Sequence, residues 1–264
     1  MSAHIMVFDS GIGGTTVLEQ IQTVLPNANY SYFMDNALLP YGAQCQATIV
    51  KRLLALLNYI NHNQLAVDIL VIACNTASTS ALDIIRQYTQ LPIVGVVPAI
   101  KPASQKTMSK HIGLLATPAT IHSDYTKHLI DAYARNIKVH LYASTELVAI
   151  AEHYFFNNYL CKQRLYKALD SLSIVEDIDV LVLGCTHFPL LSTAINEYLP
   201  HSVMLIDSGF AIAKRVKERL ILSTPHFSED KKKPLHYYAT AFITSNKFNM
   251  EFVTLIDLTL YENR

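Results

Sequence analysis

The chain has 264 residues, enough for two compact domains with a sizeable core. Hydrophobic residues make up 51% and charged residues 16%, which sets it apart from disordered chains. Lys plus Arg and Asp plus Glu balance at 21 each, which argues against a general electrostatic binder of nucleic acid; the Lys231-Lys232-Lys233 run reads as a solvated loop.

Strand and helix patterns alternate along the chain. A strand is predicted over 5–9, then a helix over 16–25 with Thr16 and Glu19 in capping-box spacing. A second strand covers 30–35, and a helix over 44–60 sets Ile49, Leu53, Leu56, Leu57 and Ile60 on one face. The apolar run 69–73 suits a strand buried on both faces of a parallel sheet. A helix over 77–88 and a short strand over 93–96 follow. The pattern then restarts: strand 111–116, helix 121–134, strand 138–142, helix 147–156, helix 162–171, strand 180–183, a helix after Pro189 to about 199, strand 203–206 and helix 211–222. Two strand-like runs, 235–243 and 252–258, close the chain without an assigned place.

Repeated βα units imply parallel sheets with functional residues past the strand C-termini, where Asp9, Asp35, Cys74, Thr117, Cys185 and Asp207 all fall. The expected architecture is α/β, two similar parallel-sheet domains related by pseudo-symmetry, with the active site in the cleft between them. The first domain takes 1–97 plus 208–264 and the second 98–207. Two near-repeats support duplication. Asp68-Ile-Leu-Val-Ile-Ala-Cys74-Asn75-Thr76 matches Asp179-Val-Leu-Val-Leu-Gly-Cys185-Thr186-His187, and Val7-Phe-Asp9-Ser10-Gly11 matches Leu205-Ile-Asp207-Ser208-Gly209.

The N-terminus enters a strand at once, without a signal-peptide pattern, and no apolar stretch is long enough to span a membrane. Cys45, Cys74, Cys161 and Cys185 show no disulfide or zinc spacing, so four free thiols in a reduced, cytoplasmic setting are expected. A lone buried cysteine is usually structural. Two at duplicated strand ends are not, and each would sit at a helix N-terminus that lowers its pKa. Cys45 and Cys161 have no polar partners in sequence and read as structural. Thiols facing each other across a cleft can serve the two faces of a flat intermediate, which inversion of a stereocentre requires.

Asp9-Ser10-Gly11 with Gly13 and Gly14 would bring backbone amides to an anionic ligand at a helix N-terminus. It is not a dinucleotide fingerprint, since Thr16 stands where the third glycine belongs. By itself the loop Asp35-x4-Pro40-Tyr41-Gly42 reads as surface. His187, two residues past Cys185, can exchange a hydrogen bond with a group held by that thiol. Glu152 alone would read as a solvated helix carboxylate.

Six ordered segments resemble the glutamate racemase family of the aspartate/glutamate racemase group. They are Phe-Asp9-Ser10-Gly-Ile-Gly-Gly, Asp35-x4-Pro40-Tyr41-Gly42, Ala-Cys74-Asn75-Thr76-Ala, Val96-Val-Pro-Ala, Gly113-Leu-Leu-Ala-Thr117 and Leu-Gly-Cys185-Thr186-His187-Phe-Pro-Leu. The resemblance implies a cofactor-free, metal-free two-base racemase of peptidoglycan precursor supply, acting on glutamate without nucleic-acid or membrane partners. A homodimer is a common state in that family. It implies that Cys74 and Cys185 exchange the α-proton, with Asp9 assisting Cys74 and with His187 and Glu152 assisting Cys185. Ser10, Pro40, Tyr41, Gly42, Asn75, Thr76, Thr117 and Thr186, with Asp9 and His187, would line the substrate. Ser144-Thr145 and Ala149 stand where the family has Cys-Pro and Pro, which bears on Glu152. The competing readings are an aspartate or broad-specificity racemase, a non-catalytic amino-acid-binding regulator, and a thiol hydrolase that would leave one cysteine unexplained.

Overall fold

The computed structural model describes residues 3–200, 203–223, 234–243 and 247–262; the Lys231–Lys233 run lies outside them. Two parallel sheets form. The first begins with β1 (His4–Asp9), α1 (Thr15–Val24), β2 (Asn29–Met34), α2 (Gln46–His62), β3 (Ile69–Ile72), α3 (Asn75–Ile85) and β4 (Ile93–Gly95). The second sheet is built from α4 (Ile100–Lys106), β5 (His111–Ala116), α5 (Pro118–His122), α6 (Asp124–Tyr133), β6 (Lys138–Ala143), α7 (Glu146–Asn157), α8 (Lys162–Asp170), β7 (Val180–Leu183), α9 (Ser192–Tyr198) and β8 (Met204–Ile206). The chain then returns through α10 (Gly209–Ser223) to add β9 (His236–Ala239) and β10 (Val253–Leu255) to the first sheet. The two unplaced tail runs thus extend that sheet's β2 edge.

The strand orders are β10-β9-β2-β1-β3-β4 and β6-β5-β7-β8. The inner order 2-1-3-4 is therefore repeated as 6-5-7-8, and β3 and β7 hold equivalent places. Along β1 the side chains alternate between two cores, as period two requires. Ile5 and Val7 pack with α1 and α10 residues such as Ile21 and Val216, while Met6 and Phe8 pack with Leu53 of α2 and Ala81 of α3. β3 and β7 are buried along their whole length, the expected pattern for strands covered on both faces.

The second near-repeat does not mark equivalent positions. Asp9 ends the central strand β1, whereas Asp207 follows the edge strand β8, whose counterpart is β4. What the two segments share is a local turn. The Asp carboxylate accepts the N–H two residues on, from Gly11 at 3.0 Å and from Gly209 at 2.7 Å.

Three further expectations change. Thr16 is not a cap, because Gly14 holds that position without a side-chain bond. The 121–134 helix breaks at Ser123, whose hydroxyl caps α6 by accepting from the Thr126 N–H. α4 forms where no helix was anticipated; its Pro102 lies in the first turn, where a missing N–H costs nothing.

Candidate active site

Both cysteines follow directly from strand ends. Cys74 lies just past β3 and caps α3, its Sγ accepting the Ala77 N–H at 3.5 Å. Cys185 lies two residues past β7 in a tight turn, where the Phe188 N–H returns to its carbonyl. Both are buried, and Cys185 is close enough to influence the ionisation of Cys74. Cys45 is exposed at the start of α2, and Cys161 is half-buried at the start of α8.

Helix position was expected to lower the thiol pKa. At Cys74 the sign is opposite: burial, then the Asp9 carboxylate beside it, holds the thiol well above its ordinary value despite the Ala77 N–H. Asp9 is fully buried. Its Oδ1 accepts from the Gly11 N–H at 3.0 Å and the Ser10 hydroxyl at 3.4 Å, and its Oδ2 accepts from the Thr186 hydroxyl at 2.9 Å. Burial raises the Asp9 pKa even though His187 and these donors oppose the rise. Cys74 thus sits beside a carboxyl that can share its proton.

Cys185 faces a different partner. Its Sγ lies 3.8 Å from Nδ1 of His187, whose Nε2 is 2.7 Å from Oε1 of Glu152. Burial alone would lower the His187 pKa, but Cys185 and Glu152 together raise it well above 6.5. Both nitrogens thus face groups that favour the protonated ring. Glu152 reaches this place although Ser144-Thr145 departs from the family pattern, because the Ser144 hydroxyl accepts the Leu147 N–H and starts α7 in register.

The glycine run was expected to meet an anionic ligand. Within the protein its backbone donates to two carboxylates, Gly11 N–H to Asp9 and Ile12 N–H to Glu152 at 2.9 Å. A Cβ on Gly11 would come within 2.1 Å of the Glu152 carboxylate, and one on Gly13 within 2.4 Å of His187. These glycines let β1's loop close onto the second sheet's imidazole–carboxylate pair.

Around the thiols, the Thr76 hydroxyl from α3 meets Thr117 at 2.8 Å and Thr120 at 3.2 Å, both at the start of α5. Gly42 packs on Thr117, where a Cβ would come within 2.8 Å. Asn75 is buried with its Nδ2 unpartnered, an amide donor without an acceptor beside Cys74. The Asp35 loop is not surface. Asp35 is fully buried, paired with Arg52 through two bonds of 2.8 and 2.7 Å, and it also accepts from Thr240 at 2.7 Å and Tyr41 at 2.6 Å. The Tyr41 hydroxyl is therefore spent on Asp35, and Pro40 stands half-buried beside it.

A sequence model of the Asp/Glu/hydantoin racemase family matches residues 14–216. The chain belongs to the Asp/Glu/hydantoin racemase family. Within it, the chain is 48% identical over 217 residues to the glutamate racemase of Shewanella frigidimarina, covering 82% of this chain and 83% of that one. Among solved structures it is similar to Escherichia coli glutamate racemase in complex with L-glutamate and an activator, UDP-MurNAc-Ala. The TM-score there is 0.83 and the identity 37%, over 92% of this chain and 91% of that one. A Bacillus anthracis glutamate racemase isoform gives a TM-score of 0.81 at 28% identity, over 97% and 98% of the two chains. Among the described residues no helix is long and apolar enough to cross a membrane, and no group of His, Cys, Asp and Glu is disposed to hold a metal ion.

The structure brings Asp9, Cys74, Cys185, Thr186, His187 and Glu152 into one connected network, with Thr76 meeting Thr117 beside it, while the Asp35 and Asp207 carboxylates order loops. Reading the sequence alone missed Thr120, Arg52 and Tyr32, and gave Thr16 only a capping role. Tyr32 donates its hydroxyl to the Gly11 carbonyl at 2.7 Å and so holds the glycine loop. Thr120 was legible as the third residue after the capping Thr117, whereas Arg52 gave no signal within its helix.

Proposed function

We propose that the chain is a cofactor-independent glutamate racemase that interconverts L- and D-glutamate by proton transfer between two cysteines, supplying D-glutamate for peptidoglycan synthesis. One observation carries this reading. The two buried thiols follow equivalent strands, β3 and β7, of sheets that share an inner order, and each has a different titratable neighbour: Asp9 by Cys74, His187 with Glu152 by Cys185.

In this mechanism one cysteine, as thiolate, takes the α-proton while the opposite thiol delivers its own to the other face. The net charge of the pair is unchanged, and the roles exchange with reaction direction. Asp9 accepts the Cys74 proton when that thiol is the base; protonated His187 stabilises the Cys185 thiolate. Negative charge building on the substrate carboxylate needs fixed donors, and the free Nδ2 of Asn75 and the Thr76, Thr117 and Thr120 hydroxyls are disposed for that role. Both thiols must stay reduced, which fits a cytoplasmic setting.

Circular dichroism of purified protein with L-glutamate, after exhaustive dialysis against chelator, tests the reading. The ellipticity should decay to zero without added cofactor. L-aspartate, one methylene shorter, should be racemised at least about a hundredfold less efficiently, because it leaves side-chain donors unpaired. Activity that returns only with pyridoxal phosphate or a metal would overturn cofactor independence. Equal kcat/KM for the two substrates would make the chain a broad aspartate/glutamate racemase.

A further inference from the structure

The turn that carries Cys185 is tied to the first sheet directly at two points and, through His187 and Glu152, indirectly at a third. Glu152 accepts the Ile12 N–H, the Thr186 hydroxyl donates to Asp9, and the Thr16 hydroxyl donates to the Thr186 carbonyl at 3.1 Å. The first two use groups already placed in the proton-transfer machinery. The Thr16 bond does not. Thr16 sits in the first turn of α1, a helix seated in the core through Val17, Leu18 and Ile21. Its hydroxyl has a single proton, shared between the local Gly13 carbonyl at 2.9 Å and the Thr186 carbonyl 170 residues away.

The turn is buried but is not packed on every side. A cavity of about 260 Å³, lined by Thr16, Leu183, Cys185, Thr186, Leu190 and Ser192 among others, lies against it. The Cys185-Thr186 backbone therefore has room to relax on that side, and hydrogen bonds to a rigid helix must hold it. Cys74 is independent of this tie, since its own helix and the Ala77 N–H position it within the first sheet.

We propose that Thr16 is a positioning residue for Cys185: by holding the Thr186 carbonyl it fixes the distance and direction of the Cys185 thiol across the cleft from Cys74. The inference rests on the two-thiol reading above. It requires that loss of the hydroxyl slow the proton transfer at Cys185 and leave the one at Cys74 alone.

Thr16→Val keeps the side-chain volume, Thr16→Ala covers the case in which Val packs badly, and Thr16→Ser keeps the hydroxyl. The first two should lower kcat roughly 10- to 100-fold with KM changed less than about threefold, and the Ser variant should restore it. A general loosening could imitate that loss, so the deciding readout is the α-deuterium isotope effect on kcat/KM for each enantiomer. Slowing only the Cys185 step makes it more rate-limiting. The effect must then rise for the enantiomer deprotonated by Cys185 and fall for the other. The rising enantiomer must also be the one whose α-proton exchanges with heavy water in Cys74→Ala, where that exchange is measurable. Isotope effects that move together or not at all, a Ser variant as slow as Val, or exchange on the wrong enantiomer would overturn the proposal. Inversion retained by Cys74→Ala or Cys185→Ala would instead sink the two-thiol reading itself.

Discussion

The two buried thiols have different neighbours. Burial, and the buried Asp9 carboxylate beside it, hold the proton on Cys74, and in the proposed mechanism Asp9 is its acceptor. Cys185 lies beside an imidazole kept charged by Glu152, so a thiolate there has a cation to face. Glu152→Gln tests this division. The amide oxygen can still accept the Ile12 N–H, but one of the two neighbours that raise the His187 pKa loses its charge. If turnover needs protonated His187, activity is lost as pH rises through the His187 pKa. Lowering that pKa moves the alkaline limb of the kcat profile to lower pH. The variant should also lose roughly 10²- to 10⁴-fold in kcat at neutral pH. An unshifted alkaline limb in a steady-state pH profile would disconnect Glu152 from the imidazole.

At the scale of elements, two polar clusters keep loops in place around the sheets. Arg52 of α2 pairs with buried Asp35 and with Glu262, so the chain's last described turn is tied to the loop carrying Pro40, Tyr41 and Gly42. Arg52→Met leaves Asp35 buried without its cation, with only the Tyr41 and Thr240 hydroxyls donating to it, and should cost about 3–5 kcal/mol in urea denaturation. A second cluster lies before β7. Asp179 accepts from the Thr107 hydroxyl at 2.6 Å and from the Met108 and Ser109 N–H groups at 2.6 and 2.8 Å. Its slight burial would raise the pKa, but these donors outweigh it and hold the carboxylate below its ordinary 3.8. A depressed pKa gives stability that is present above 3.8 and is lost as pH falls through the folded value. Asp179→Asn should therefore cost about 1 kcal/mol at pH 7, allowing for solvent screening. The gap from wild type in denaturant midpoints should close in acid, and a constant gap would contradict the assignment. Neither cluster was legible in the sequence. Asp35 looked like a loop residue because its cation lies 17 positions away on a helix and its third partner, Thr240, lies in the tail. What was legible was local or periodic: the buried runs of β3 and β7, the amphipathic face of α2, and the cysteines at both strand ends. Thr16 misled because its spacing to Glu19 satisfies a capping pattern, while the hydroxyl's partner is a carbonyl in the other sheet.

For the molecule as a whole, the repeated strand order gives each sheet a cysteine just past an equivalent strand. The cleft is closed by contacts that cross it: Thr186 to Asp9, Ile12 to Glu152 and Thr76 to Thr117. The sequence showed the repetition through the cysteine segments. It could not show that the glycine run seats His187 and Glu152, because that approach exists only once the two sheets meet. The central claim is that each thiol serves one face of the α-carbon. It is tested most directly by incubating Cys74→Ala and Cys185→Ala with each glutamate enantiomer in heavy water. Proton NMR of the α-position and chiral chromatography of the recovered amino acid give the readout. The account predicts no inversion in either variant, with any residual deuterium exchange confined to opposite enantiomers, while Cys45→Ala and Cys161→Ala stay close to wild type. Near-normal inversion in either Cys74→Ala or Cys185→Ala would contradict it.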